Sequence, residues 1–161
     1  MTLSHFIDLM LGVPFKPKGR DVLGVDCWAV PVLAYRDILG IELPSFVDDY
    51  VDPGDTEASR RVINDLVLME KQRWEKVSRP KAMDVVVFRF GDTQTHIGMM
   101  VDEKCFIHCE RKINTVIERV GCAKWKKRVE GFYRFHEGAI VENEQPLMLE
   151  GCCGRGGCGH V

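Results

Sequence analysis

Apolar residues recur at helical spacing through the first half of the chain and alternate with a period of two through the second. Leu3, Phe6, Ile7 and Met10 predict a short helix over Thr2–Leu11, with Thr2 or Ser4 as its cap and Gly12 as its end. Val30, Leu33, Ala34 and Ile38 predict a second helix over Ala29–Leu39, stopped by Gly40. Pro31 lies about one turn in, so this helix is expected to start at or after Cys27 with a distorted first turn. Ala58, Val62, Leu66 and Met69 form the inward stripe of a third helix, predicted from Thr56 to Val77. Thr56 would cap it, Glu57 falls in its first turn, and Ser78-Arg79-Pro80 breaks it. Pro14–Arg20 and Ile41–Asp55 read as connections.

From Met83 onward the pattern predicts five strands: Val85–Phe90, Thr95–Val101, Cys105–Cys109, Thr115–Val120 and Gly131–Phe135. Helices first and an antiparallel meander after imply an α+β fold, with the N-terminal helices packed on the sheet. A chain of 161 residues suits one domain, placed at residues 1–137. Residues 138–161 depart in composition and end in a Gly/Cys-rich tail that cannot build a core. Cys152, Cys153, Cys158 and His160 are soft metal ligands, but adjacent cysteines followed by Cys-x-His do not match a zinc spacing. The tail therefore reads as a flexible or docking segment, with metal ligation as the alternative. No metal or cofactor is expected in the domain.

Net charge of -2 argues against a general nucleic-acid binder. Basic residues nevertheless gather between Arg111 and Arg134, either as a solvated face or as a surface attracted to an anionic polymer. Seven cysteines, an odd count without framework spacing, fit folding in a reducing compartment. His5 and Asp8 interrupt the apolar N-terminus and no basic segment precedes it, so no secretory signal is expected; no run reaches the length of a membrane span.

The chemistry centres on Gly24-Val25-Asp26-Cys27-Trp28. Cys27 falls at a predicted helix N-terminus, where free N–H groups and the dipole favour a thiolate; the alternative is one more buried cysteine. A cysteine nucleophile needs a base and the base needs an orienting group. If Thr95–Val101 and Cys105–Cys109 pair through the three-residue loop Asp102-Glu103-Lys104, then Gly98 faces His108 and His96 faces Glu110. His96, Gly98, His108 and Glu110 then share one face, and the two histidines become diagonal neighbours. Ile97, Met99, Val101, Cys105, Ile107 and Cys109 form the other, apolar face. Asp26 is either a helix cap or a substrate contact, Trp28 either core or binding surface, and His5 and His136 are surface or structural.

Asp26-Cys27-Trp28, Asp84-Val85-Val86-Val87-Phe88, Thr95-His96-Ile97-Gly98 and Phe106-Ile107-His108 occur in order. Together they resemble the NlpC/P60 cysteine peptidases, in the variant found in phage tail proteins. Gly19-Arg20-Asp21, Tyr35-Arg36, Leu39-Gly40-Ile41-Glu42-Leu43-Pro44, Trp125 and Gly131-Phe132-Tyr133-Arg134 resemble the same subgroup. Ala29 stands where that family usually has glycine, Pro31 is unusual in its helix, and the aromatic-Trp-Gly-Gly approach to the cysteine is reduced to Phe15 and Gly19. The resemblance covers about residues 1–136. It implies a papain-like fold, a Cys27–His96–His108 triad, and hydrolysis of peptidoglycan stem peptides, commonly at the D-Glu–diaminopimelate bond. Phe15, Gly19, Asp26 and Trp28 are then the substrate-side candidates. The expected setting is a phage virion tail: the protein is made in the host cytoplasm and works beside other tail proteins on bacterial peptidoglycan. Two rivals are a structural tail-assembly protein that keeps the fold, and a cysteine-dependent amidase or acyltransferase on a non-wall substrate.

Overall fold

A computed structural model describes residues 1–48 and 57–136. The proposed Thr56 cap and the tail beyond residue 136 lie outside the described residues. Helix α1 spans Leu3–Met10; the Thr2 hydroxyl accepts the His5 N–H, and Phe6 and Met10 are buried. Two short strands follow where the sequence suggested only a loop: β1 (Arg20–Asp21) and β2 (Gly24–Val25) pair antiparallel just before Cys27. They approach closely because Gly19 has no side chain: a Cβ there would sit 2.1 Å from the Gly24 carbonyl oxygen.

Helix α2 spans Ala29–Ala34 and runs into a π-helical turn, Tyr35–Leu39, that ends at Gly40 with φ 70°. Pro31 sits in the first turn, where its missing N–H forfeits no helical hydrogen bond. Every residue of α2 is buried, as an all-apolar helix must be.

Helix α3 spans Glu57–Lys71 and is shorter than its pattern suggested. Trp74–Val77 is instead an edge strand, β3, paired with the last strand of the chain. Its partner lies some sixty positions away, beyond any local window. The inward stripe of α3 is also turned by one residue. Val62 and Met69 are exposed and Leu66 is half-buried, while Val67 and Glu70 are buried and Ile63 packs against the core. What decides the facing is Trp74: it donates its indole N–H to Glu70 at 2.9 Å, so the buried stripe carries a carboxylate that no apolar count would include.

The remaining strands are β4 (Val85–Phe90), β5 (Thr93–Met100), β6 (Cys105–Glu110), β7 (Ile113–Arg119) and β8 (Val129–Phe135). They make one antiparallel sheet in the order β3-β8-β4-β5-β6-β7, which confirms the α+β class. Alternation along β4 to β6 separates two faces. Val85, Val87, Ile97, Met99, Ile107 and Cys109 belong to cores that include residues of α2 and α3. Val86, Phe88, Met100 and Phe106, on the opposite face, form a third core closed by Trp125, which comes from the β7–β8 connection. Arg134 on β8 grips Asp84 with two nitrogens, at 2.9 and 2.7 Å, and so fixes the entry to β4.

Candidate active site

Cys27 lies between β2 and α2, in the turn that Asp26 caps. Asp26 Oδ1 accepts the Ala29 N–H at 2.8 Å, and Oδ2 takes the Arg20 guanidinium at 2.7 Å. Arg20 is itself held by the Ser45 carbonyl and hydroxyl, so the segment before the cysteine is tied to the loop after α2. Of the two roles weighed for Asp26, the geometry assigns the cap. Trp28 is nearly buried and donates its indole N–H to the Pro44 carbonyl at 2.7 Å.

The β5–β6 pairing includes Met99↔Ile107 and Met100↔Phe106, so the connection is centred on Glu103 as the sequence predicted. The histidines therefore fall on the same face. His96 Nε2 and His108 Nδ1 stand 2.9 Å apart, with the rings nearly perpendicular. That face is not open, however. His96 stacks on the Trp125 indole at 5.3 Å and 14°, and Phe106 stacks on His108 at 4.7 Å. Burial lowers the pKa of both rings; His108 and Lys124 add to the effect at His96, while Glu118 opposes it at His108. Both rings are thus neutral near pH 7.

Cys27 and His96 line one cavity of about 330 Å³, together with Asp26, Trp28, Phe15, Arg111 and an apolar wall that includes Trp74, Val87 and Tyr133. The Ile97 N–H points at the Cys27 sulfur and favours its ionised form. Arg20 acts the same way, but burial and the neighbouring Asp26 charge outweigh both and push the thiol up to about 12. Burial and the Asp26 charge both work against the thiolate expected at a helix end, where free N–H groups favour the anion.

Of the other substrate-side candidates, Phe15 lines the cavity under the Arg111 guanidinium, while Gly19 packs on Gly24 and is absent from the lining. His136 bonds Glu75 at the surface, and His5 is exposed.

Sequence reasoning did not find Glu118. Its Oε2 lies 2.7 Å from His108 Nε2 and 2.8 Å from Trp125 Nε1. The signal was the parity of β7, where Phe106↔Glu118 and His108↔Val116 put Glu118 on the histidine face. His108, Glu110 and Glu118 present ligand atoms within 4.8 Å of one another. The Lys124 ammonium already serves both carboxylates, at 2.6 Å from Glu110 and 3.5 Å from Glu118, which leaves little call for a metal ion.

The NlpC/P60 family profile matches residues 12–134. Over 119 residues the chain is 26% identical to the Murein DD-endopeptidase MepS/Murein LD-carboxypeptidase of Escherichia coli K12, covering 73% of this chain and 53% of that protein. The chain thus spans about half the length of that relative. Among solved structures, the NlpC/P60 domain of the peptidoglycan hydrolase SagA aligns with TM-score 0.54 at 15% identity, covering 83% of this chain and 95% of that one. An NlpC/P60 family protein from Bacillus cereus ATCC 10987 aligns with TM-score 0.60 at 16% identity, covering 84% and 40%. At these identities the structural likeness speaks to the fold alone.

Proposed function

Because the chain belongs to the NlpC/P60 family, we propose that it is a peptidoglycan hydrolase that cleaves stem-peptide amide bonds through Cys27, His96 and His108. The observation that carries this reading is the His96–His108 pair at 2.9 Å, in a cavity that Cys27 shares with His96. His96 Nε2 is engaged by His108, which leaves Nδ1 for the thiol. As the Cys27 sulfur attacks the amide carbonyl, its proton passes to His96 Nδ1. The Cys27 backbone N–H at the start of the capped turn serves the developing oxyanion. His96 then protonates the leaving amine, and water releases the acyl group from sulfur.

The finer reading is a phage or prophage tail component that acts on the host wall beside other tail proteins, at the D-Glu–diaminopimelate bond. The blocks around Gly19-Arg20-Asp21 and Gly131-Phe132-Tyr133-Arg134 support the tail setting. The DD-endopeptidase activity in the name of the E. coli relative favours a second bond, one between two D-configured residues. Purified sacculi treated with the protein, and with Cys27→Ala as control, test the whole reading. New amino groups from the wild type alone support hydrolysis, and mass spectrometry of the fragments tells the two bonds apart. Equal release by both proteins would sink the catalytic role of Cys27. No release by either would favour a structural tail protein or a non-wall substrate.

A further inference from the structure

The two imidazoles pose a tautomer problem that the pair cannot solve alone. One proton occupies the 2.9 Å gap between His96 Nε2 and His108 Nδ1, and it can belong to either ring. If His108 Nδ1 carries it, His96 Nε2 accepts. His96 must then hold its own proton on Nδ1, where it cannot take one from a thiol. If His96 Nε2 carries it, Nδ1 keeps a lone pair for Cys27. Only the second arrangement gives a base.

Glu118 decides between them. Its Oε2 stands 2.7 Å from His108 Nε2, the ring nitrogen that does not face His96. A carboxylate only accepts, so His108 must be protonated at Nε2 and bare at Nδ1. His96 is then the donor across the gap, and its Nδ1 is free. We propose that Glu118 is a positioning residue that sets the tautomers of both rings through His108, which extends the Cys27–His96–His108 reading by a fourth member. The residue is built for the role. Its oxygen also accepts from Trp125 Nε1 at 2.8 Å, and the Lys124 ammonium lies 3.5 Å away. Burial works to raise the Glu118 carboxyl, but the Trp125 and His108 hydrogen bonds and the Lys124 charge prevail and hold it below its ordinary value, so it stays ionised. Trp125 also stacks on the His96 ring, so one indole fixes the carboxylate at one end of the chain and an imidazole at the other. No proton travels to Glu118 in the reaction. The S–H bond of Cys27 breaks and an N–H bond forms at His96 Nδ1. The resulting imidazolium keeps its Nε2–H on His108, and the fixed carboxylate charge stabilises it across the one intervening ring.

Histidine-selective 15N labelling of the full chain, read by long-range 1H–15N correlation, tests this directly. The wild type should show both His96 and His108 as Nε2–H tautomers; His108 protonated on Nδ1 would overturn the proposal even if no variant could be made. Glu118→Gln places an amide that can donate as well as accept, and should bring a Nδ1–H population into His108. It should also lower kcat on sacculi on the order of 10- to 100-fold with KM little changed, a smaller loss than the about 10⁴-fold seen when an orienting carboxylate contacts the catalytic ring itself. An unchanged His108 tautomer with wild-type kcat in a folded Glu118→Gln protein would equally overturn it. The spectra need no substrate, so a protein inert on sacculi that shows this tautomer pattern would sink the hydrolase reading and leave the role of Glu118 standing.

Discussion

Arg20 Nη1 lies 2.7 Å from Asp26 Oδ2, one residue before Cys27, in a pair whose side chains are only 16% and 7% exposed. The acid thus does two things at once: it caps the turn through Ala29 and presents a negative charge to the thiol. Asn keeps the capping oxygen and loses the charge. Asp26→Asn should therefore make Cys27 easier to ionise, seen as faster iodoacetamide alkylation at a given pH. Leaving Arg20 without its anion should also cost about 1–3 kcal/mol in urea unfolding. An unchanged alkylation rate in the folded variant would show that the Asp26 charge does not reach the sulfur.

The pH profile of that alkylation makes a second prediction for the wild type. With burial and Asp26 both raising the thiol, and the pKa near 12, the rate should climb through neutral and alkaline pH without levelling at the ordinary thiol value of 9.0. A plateau set by a pKa at or below that value would mean that Arg20 and the Ile97 N–H offset burial and Asp26, and a midpoint below neutral pH would mean that the resting protein holds a thiolate.

Stability carries its own signature. Both His96 and His108 have folded pKa values below the ordinary 6.5, chiefly because burial disfavours the charged ring. The unfolded chain therefore binds more protons than the native one just below pH 6.5. The contribution of these rings is fully present above that pH and is lost as pH falls toward the depressed values. The melting temperature should drop between about pH 6.5 and 5, before the carboxylates titrate. In His108→Asn the drop over that window should be smaller. Parallel curves for the two proteins would assign the acid sensitivity to other groups.

Much of this arrangement was legible in the residues because it depends on period and parity. Gly40 ends the second helix as a left-handed residue, and the odd connection centred on Glu103 follows from requiring two histidines on one face. What escaped was set by distant partners. Trp74–Val77 is a strand only because Phe132–Phe135 lies beside it, and nothing within a ten-residue window distinguishes it from the end of a helix. The stripe of α3 was misplaced because its buried side includes Glu70, whose partner is the same Trp74. The position of Cys27 before the second helix was legible, but the burial and the Asp26 charge that raise its thiol were not, since both depend on the whole packing. Glu118 was missed because charge on a strand reads as solvent-facing until its neighbours are known.

Gly98 supplies the sharpest test of how tightly the histidine face is packed. A Cβ built there would lie 2.5 Å from Phe106 Cδ2 and 3.3 Å from the Ile107 carbonyl oxygen. Phe106 is fully buried between Phe88, Trp125 and the His108 ring, at centroid distances of 4.9, 5.4 and 4.7 Å, so it has little room to yield. Backbone strain is not the issue, because Gly98 continues an ordinary strand; the conflict is with one ring. Gly98→Ala should then cost about 1–3 kcal/mol in urea unfolding, the usual range for overpacking a core. It should also perturb function beyond the loss of stability, because the ring it displaces is the one stacked on His108. Expected is a protein that is folded at 25 °C, with shifted His108 ring resonances and a reduced kcat on sacculi at temperatures where it remains fully native. If Gly98→Ala is as stable as the wild type, with unmoved His108 resonances, the close approach of Phe106 to the β5 backbone is not a feature of the folded protein.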